Sequence, residues 1–390
     1  CYFLKKTVKV NIDIDINKVV DLHTYALSSR GVLRKYLLFA HSLFLRLFKK
    51  YDLTITSPIN NDGFEYIFYK SMHRFDYDEL FDSIVNECTL DKKIIESKVV
   101  YGFDLHFLDN FIKYRCLFSE LNTQKLIEKL YLFSSFLFYT KILHHLKVGK
   151  CKKIVVFADM QPVDNLIVQY CRMLNKETVT LQHGLFVDYA GTYNISSVSY
   201  KNVVSDYFLT WGNNNKALIE RYNPDCSVIV CGNPAIKPYK PSRKGDKFFT
   251  VFFDWDVFKG ENKELLDIAY KISDQLNIKF NLRFHPSNNI SNYDINDKYI
   301  LNNIDYRESF FMLGHTSSMI HICQRLGLLV FKYDSDIPTN PVDKKYCFKS
   351  ADDVLIKLKS LDKYASKYKQ NIGPIGYKSL KKYNKIFNDL

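Results

Sequence analysis

Short apolar runs that stop at turn residues alternate with amphipathic stretches over most of this chain. Between 151 and 234 the runs are "KKIVVFAD", "TVTLQHG", "DYFLTWG" and "SVIVCGNP". Their length and β-branching predict strands buried on both faces. Helical patterns at Asn165–Leu174 and in "NNKALIERY" lie between them. From 248 the rhythm restarts. "FFTVFFD", "IKFNLRFHP", "FFMLGHTSS" and "LLVFKYD" predict strands, and "KELLDIAYKISDQL" and "SMIHICQRLG" predict helices. Strands alternating with helices predict a parallel α/β sheet, here twice.

The first 150 residues read differently. Val8, Val10, Ile12, Ile14 and Ile16 alternate with Lys9, Asn11, Asp13 and Asp15, which predicts a strand with one polar face. Residues 31–50 read as a helix, apolar over most of its surface and basic at both ends. Residues 62–150 read as mainly helical, with one strand at Lys98–Phe103. The best boundary is 234–247, "PAIKPYKPSRKGDK", with three prolines, one glycine and five Lys/Arg in fourteen residues. It predicts one domain over 1–235 and a second over 236–375. A terminal helix over 376–390 is expected to pack back on the first domain.

Composition fits this division. A chain of 390 residues has ample material for two cores. With 47% hydrophobic and 25% charged residues it is globular rather than disordered. The net charge of +13 suits an anionic substrate, polyanion or membrane surface. There is no arginine-rich arm, zinc-finger spacing or RNA-binding aromatic signature, so nucleic acid is not an expected partner. Nine cysteines with no CxxC argue for a reducing compartment rather than a disulfide framework or zinc site. No secretory signal is visible in the first residues. The longest apolar stretches, Tyr36–Leu45 and Leu130–Tyr139, fall short of the roughly 18 residues a spanning helix needs.

The candidate chemistry gathers at the carboxyl ends of the predicted strands, where open α/β sheets bind ligands. Asp159, Gln182-His183-Gly184, Gly212, Gly232-Asn233-Pro234, Asp254, His285-Pro286 and Thr316-Ser317-Ser318 all fall there. Together they predict a cleft between two domains. Pro286 holds His285 extended, which aims the imidazole out of the strand end, and Arg283 shares its face. Taken alone, such a pair is most simply a strand terminator. Ser317 or Ser318 fits the N-cap of a helix at Met319–Leu326, a place that also suits phosphate. His183 can take a proton from a hydroxyl, with Asp159 and Asp188 as rival bases. Gly232 and Asn233 suit a tight turn near the hinge. Asp254-Trp255-Asp256 has a DxD spacing, but Asp13-Ile14-Asp15 and Asp334-Ser335-Asp336 share it, so no metal site is assigned.

In order and spacing, "LQHG", "SDYFLTWG", "VCGNP", "RFHP" and "HTSSMIHICQRLGLLVF" resemble the bacterial GT-B transferases of surface polysaccharides. That group includes polysialyltransferases, capsular Kdo transferases and teichoic-acid glycerophosphotransferases. The resemblance spans 151–335. It implies an α/β, GT-B fold with two Rossmann-like domains facing across a cleft, an acceptor side in 1–235 and a donor side in 236–375. It implies that His285, Pro286, Arg283, Thr316, Ser317, Ser318, Gly232 and Asn233 hold the donor nucleotide. His183 would act as base, as in the teichoic-acid branch. An acidic residue would do so in the sialic-acid branch, which keeps Asp159 and Asp188 open. It implies no cofactor and no metal, only a nucleotide-activated sugar as substrate, a CMP-sugar before a UDP-sugar. The acceptor would be a glycan or lipid-linked glycan of capsule or lipopolysaccharide, handled in the bacterial cytoplasm at the inner membrane face. A CDP-polyol phosphotransferase and a catalytically silent binding partner are the rival expectations. Non-hydrolysing sugar-nucleotide epimerases share the scaffold, but carry Ser-Gly-Gly and a nearby glutamate where this chain has Thr316-Ser317-Ser318, His321, Cys323 and Gln324.

Overall fold

A computed structural model describes residues 13–28, 38, 40, 46, 48–56, 64–103, 106–146, 148–149, 151–186, 195–239, 248–286, 288–302, 304–337, 342–360 and 372–390. Two sheets organise the described chain. The first has strands β1 (Lys49–Thr56), β2 (Tyr66–Lys70), β3 (Lys92–Tyr101), β4 (Lys153–Val156), β5 (Glu177–Leu181), β6 (Tyr207–Thr210) and β7 (Ser227–Val230). Their order is β1-β3-β2-β4-β5-β6-β7, parallel except for the β1–β3 pair. The second has β8 (Phe249–Phe252), β9 (Phe280–Arg283), β10 (Ile300–Leu301), β11 (Met312–Gly314), β12 (Val330–Tyr333) and β13 (Cys347–Phe348). Its order is β10-β9-β8-β11-β12-β13, parallel throughout.

Away from the β1–β3 edge both sheets are covered on both faces, which is why most of their strands read as apolar runs. Tyr66 and Phe68 point one way into a core with helix Phe75–Glu87, and Ile67 and Tyr69 point the other way onto helices Leu126–His145 and Pro162–Met173. In the second sheet Phe249 and Val251 face helices Lys259–Leu276 and Ala351–Lys359, while Phe252 and Met312 face helix Ser318–Arg325.

Every strand and helix expected between 151 and 333 is present within a few residues. The first 150 residues differ. Most of the alternating run at 8–16 lies outside the described residues, and its last member, Ile16, opens helix Ile16–Ser28. Most of the helix expected over 31–50 also lies outside them, but Lys49 and Lys50 belong to β1. The segment expected to be mainly helical contributes β2 and β3 to the sheet.

The chain leaves the first domain at Cys231–Asn233 and returns beside the same point. Asn233 N–H donates to Pro374 O (3.0 Å), Gly373 N–H to Trp211 O (2.6 Å) and Gly376 N–H to Asn233 O (3.3 Å). Gly232 sits at φ 86°, and a Cβ there would lie 1.8 Å from Pro374 O. Only glycine fits both the backbone angle and the crossing strand. Helix Tyr377–Asp389 then packs in the first domain's core, with Tyr383 and Phe387 buried beside Tyr66 and Phe68. Among the described residues no helix is long and apolar enough to cross a membrane.

Candidate functional site

Each sheet has a point where the strand order reverses, and there the loops at the carboxyl ends part to leave a crevice. In the first sheet this lies between β2 and β4, because β3 returns on one side of β2 and β4 on the other. In the second it lies between β8 and β11, because β9 and β10 extend to one side and β11 to β13 to the other. The loops after β2 and β5 meet those after β9 and β11 around two adjoining cavities.

One cavity, of about 500 Å³, is lined mostly by the second domain: Arg283, Phe284, His285, Pro286, Ser317 and Ser318, with Phe252 and Phe253. The His285 loop is built around Asn288. The His285 N–H donates to Asn288 Oδ1 (2.8 Å), and Asn288 Nδ2 donates to Asp254 O (2.9 Å). Asp254, just past β8, holds the neighbouring turn. Its Oδ2 accepts the Thr316 N–H at 2.6 Å and lies 3.5 Å from His315 Nδ1. His315 is fully buried, with Nε2 2.5 Å from Ser335 Oγ. Ser317 caps helix Ser318–Arg325, its Oγ accepting the Met319 N–H at 3.3 Å. The guanidinium groups of Arg283 and of Arg74 from the first domain, the His285 imidazole and a helix N-terminus thus line one space, a setting that favours an anion.

The adjoining cavity, of about 490 Å³, is lined by His183, Gly184, Trp211 and Asn233 of the first domain and by Tyr306, Arg307, Ser318 and Met319 of the second. Gln182 fixes the turn that presents His183. Fully buried, it accepts the Trp211 N–H (2.7 Å) through Oε1 and donates to Asn215 Oδ1 (2.7 Å) through Nε2. Ring contacts with Tyr77 (5.5 Å), Phe186 (5.9 Å) and Phe157 (6.1 Å) surround the imidazole. Arg307 is chelated by Asp305, whose carboxyl it holds below its usual range. Arg74, Ser318 and Met319 line both cavities.

Of the residues picked from the sequence, Arg283, His285, Pro286, Ser317 and Ser318 share one cavity, and His183 and Asn233 the other. The remainder lie elsewhere. Thr316 is clamped by Asp254 behind the lining. Gly232 serves the interdomain crossing. Asp159 is not at the cleft surface: it is fully buried, and its Oδ2 accepts from Val204 N, Ser205 N and Ser205 Oγ at 2.9, 2.9 and 2.7 Å. Burial raises its pKa, opposed by those donors, and its geometry is that of a loop tether. Asp188 lies outside the described residues. Among the described residues no group of three His, Cys, Asp or Glu is placed to hold a metal ion.

Sequence reading missed Arg74, Phe75, Trp211, Tyr306 and Arg307. Arg74 follows β2, and recognising "EYIFYK" as a strand would have set it at a switch point. Tyr306 and Arg307 lie in an irregular segment before β11, where no motif marks them.

No protein-family model matches the chain, and no curated protein matches it. Solved structures do. The UDP-N-acetylglucosamine 2-epimerase of Rickettsia bellii superposes with a TM-score of 0.50 at 13% identity, over 84% of this chain and 96% of that one. A structure of the wall teichoic acid polymerase TagF gives 0.44 at 11% identity, over 84% and 90%. Sucrose-phosphate synthase of Thermosynechococcus elongatus gives 0.36 at 9% identity, over 68% and 76%. At such identities likeness speaks to fold alone, and together with the two reversed parallel sheets the first of these fixes it: the chain has the α/β GT-B fold, two Rossmann-like domains facing across a cleft.

Proposed function

We propose that this protein is a glycosyltransferase that moves a sugar from a nucleotide-activated donor, a CMP-sugar before a UDP-sugar, to a growing bacterial surface glycan. The observation that carries this reading is the pair of adjoining cavities: an anion-favouring one around Arg283, His285, Ser317 and Ser318, and one holding His183, joined along Ser318 and Met319. In this reading the donor's phosphate lies against His285, Arg283 and the start of helix Ser318–Arg325. The sugar points into the His183 cavity. His183 accepts the proton of the acceptor hydroxyl as that oxygen attacks the anomeric carbon. The bond from that carbon to the phosphate oxygen breaks, and the cationic wall stabilises the charge that develops on the leaving phosphate. Acceptor entry is on the first-domain side, and the net charge of +13 suits work on anionic chains at a membrane surface.

Calorimetric titration with CMP, CDP, UDP and GDP tests the reading. Selective CMP binding supports a sialic acid or Kdo donor, CDP a polyol phosphate, and UDP or GDP a hexose. Binding of none of the four would overturn the donor assignment. The His285→Ala variant is expected to lose about tenfold or more in affinity for the selected nucleotide, as befits a charge-assisted contact. Wild-type affinity in that variant would count against His285 as the phosphate ligand.

A further inference from the structure

Phe75 is 84% exposed at the first position of helix Phe75–Glu87. A lone exposed phenylalanine is ordinary on a protein surface. This one is singled out by its place and by how firmly it is held. It lines the anion-favouring cavity next to Arg74, and these two are the first-domain members of a lining otherwise drawn from the second domain.

The turn before it is locked from several sides. Lys70, buried at the end of β2, sends its ammonium to Asp78 (2.8 Å) and Asp82 (3.4 Å) on the helix and to Glu96 (3.8 Å) on β3. Burial disfavours its charge, yet these carboxylates raise its pKa on balance. His73 Nε2 lies 2.8 Å from Ser97 O. The N–H groups of Tyr77 and Asp78 both donate to Arg74 O at 2.8 Å. The Arg74 guanidinium stacks over the Tyr77 ring at 3.8 Å, and Tyr77 is itself wedged edge-on against Phe157 and His183. One turn on, Glu79 lies 3.7 Å from Lys237 of the linker. Phe75 follows directly on this fixed frame, with its side chain exposed.

We propose that Arg74 and Phe75 form a lip, supplied by the first domain, that completes the nucleotide site: the Phe75 ring stacks on the base, and the Arg74 guanidinium pairs with the phosphate. This rests on the nucleotide-donor reading above. A flat, solvent-facing aromatic ring beside a planar cation matches a ligand that carries a flat heterocycle beside an anion. Stacking is worth enough to be selected for, because each base presents an aromatic face, and Arg binds phosphate through paired N–H groups. The cavity of about 500 Å³ admits a ligand of nucleotide size. The lip stands at the β2/β4 switch point, facing the β8/β11 switch point of the other domain, so a ligand held by both spans the cleft.

The test is titration of wild type, Phe75→Trp, Phe75→Leu, Phe75→Ala and Arg74→Gln with CMP, CDP, UDP and GDP. Phe75 is exposed, so its variants are expected to keep the wild-type thermal midpoint. Phe75→Ala should weaken the bound nucleotide about tenfold, Phe75→Leu nearly as much, and Phe75→Trp should restore wild-type affinity. Arg74→Gln should weaken it about tenfold or more. If wild type binds a nucleotide and Phe75→Ala or Phe75→Leu binds it equally well, the stacking lip is overturned while the donor reading stands. If wild type binds none of the four, the donor reading falls and takes the lip with it.

Discussion

Two carboxylates five residues apart, Asp159 and Asp164, show how little a residue type says without its surroundings. Both are fully buried after β4. Asp159 is spent on the 203–206 loop, as described above. Asp164 accepts the Ala158 N–H at 2.9 Å, and its pKa is pushed up to about 7. Burial is the main cause. Donors at Ser71 and Ala158 pull the other way, and the nearby Asp159 charge adds to the rise. The group ionises at 3.8 when unperturbed and at about 7 when folded. Between those values the folded chain keeps a proton that the unfolded chain has released. Stability from this group is therefore greatest at low pH, declines as pH rises from 3.8 to about 7, and is level above that. Asp164→Asn removes the titration and keeps an acceptor for Ala158. Relative to wild type, the variant is expected to gain stability on going from pH 4 to pH 8, on the order of a few kcal/mol. Urea unfolding of both proteins across that range checks it, and a gap that does not change with pH would refute it.

At the scale of elements, the parts of the fold that the sequence displayed are those buried on two faces. "KIVV", "YFLT", "FTVF" and "VFKY" are mostly apolar and buried along almost their whole length because helices cover both sides of them. β1 and β3 sit at the antiparallel edge, where one face meets solvent, and "KKYDLTIT" and "KKIIESKVVY" are broken by lysines and a mixed burial pattern. The pattern shows only the end of β3, at Lys98–Phe103, and reads β2 as part of a helical stretch, so the Arg74 turn after it is not seen as a strand end. The second-domain half of the site was legible because its loops carry local signatures: a proline that ends β9, a serine cap that opens a helix. What local signatures do not reveal is the support behind them. Asp254, His315 and Asn288 hold both loops and touch neither cavity, and nothing in their spacing announces it. The cap itself offers a test of how much Ser317 does for the fold and how much for a ligand. Ser317→Ala is expected to cost about 1 kcal/mol of stability, the ordinary loss of an N-cap. Chemical denaturation measures that, and nucleotide titration of the same variant measures the rest. A loss of affinity at unchanged stability would mean that the hydroxyl serves the ligand and not the helix.

At the scale of the whole molecule, the last helix decides which domain the C-terminus stabilises. Chain order would assign Tyr377–Asp389 to the second domain, yet its contacts belong to the first. Tyr66 Oη–H donates to Phe387 O at 2.6 Å, and the Phe387 ring meets Tyr66 at 5.6 Å and Phe68 at 5.5 Å, both edge-on. Ser379 Oγ donates to Cys231 O (2.9 Å), and Tyr383 Oη to Gly232 O (3.3 Å), so the helix also pins the exit from the first sheet. The first domain is therefore closed by a segment made after the second, and its sheet gains one wall from a helix whose Phe387 lies 321 residues downstream of Tyr66 in β2. Phe387→Ala is expected to cost about 3–5 kcal/mol, the range for removing a buried aromatic ring. The cost should fall unevenly. Hydrogen exchange should quicken at β2 and β4, which the ring supports, while β8 and β11 keep their protection, because their core shares no residue with this helix. Equal loss of protection in both sheets would mean that the domains unfold as one unit. No loss in the first sheet would mean that the helix is an ornament on a core complete without it.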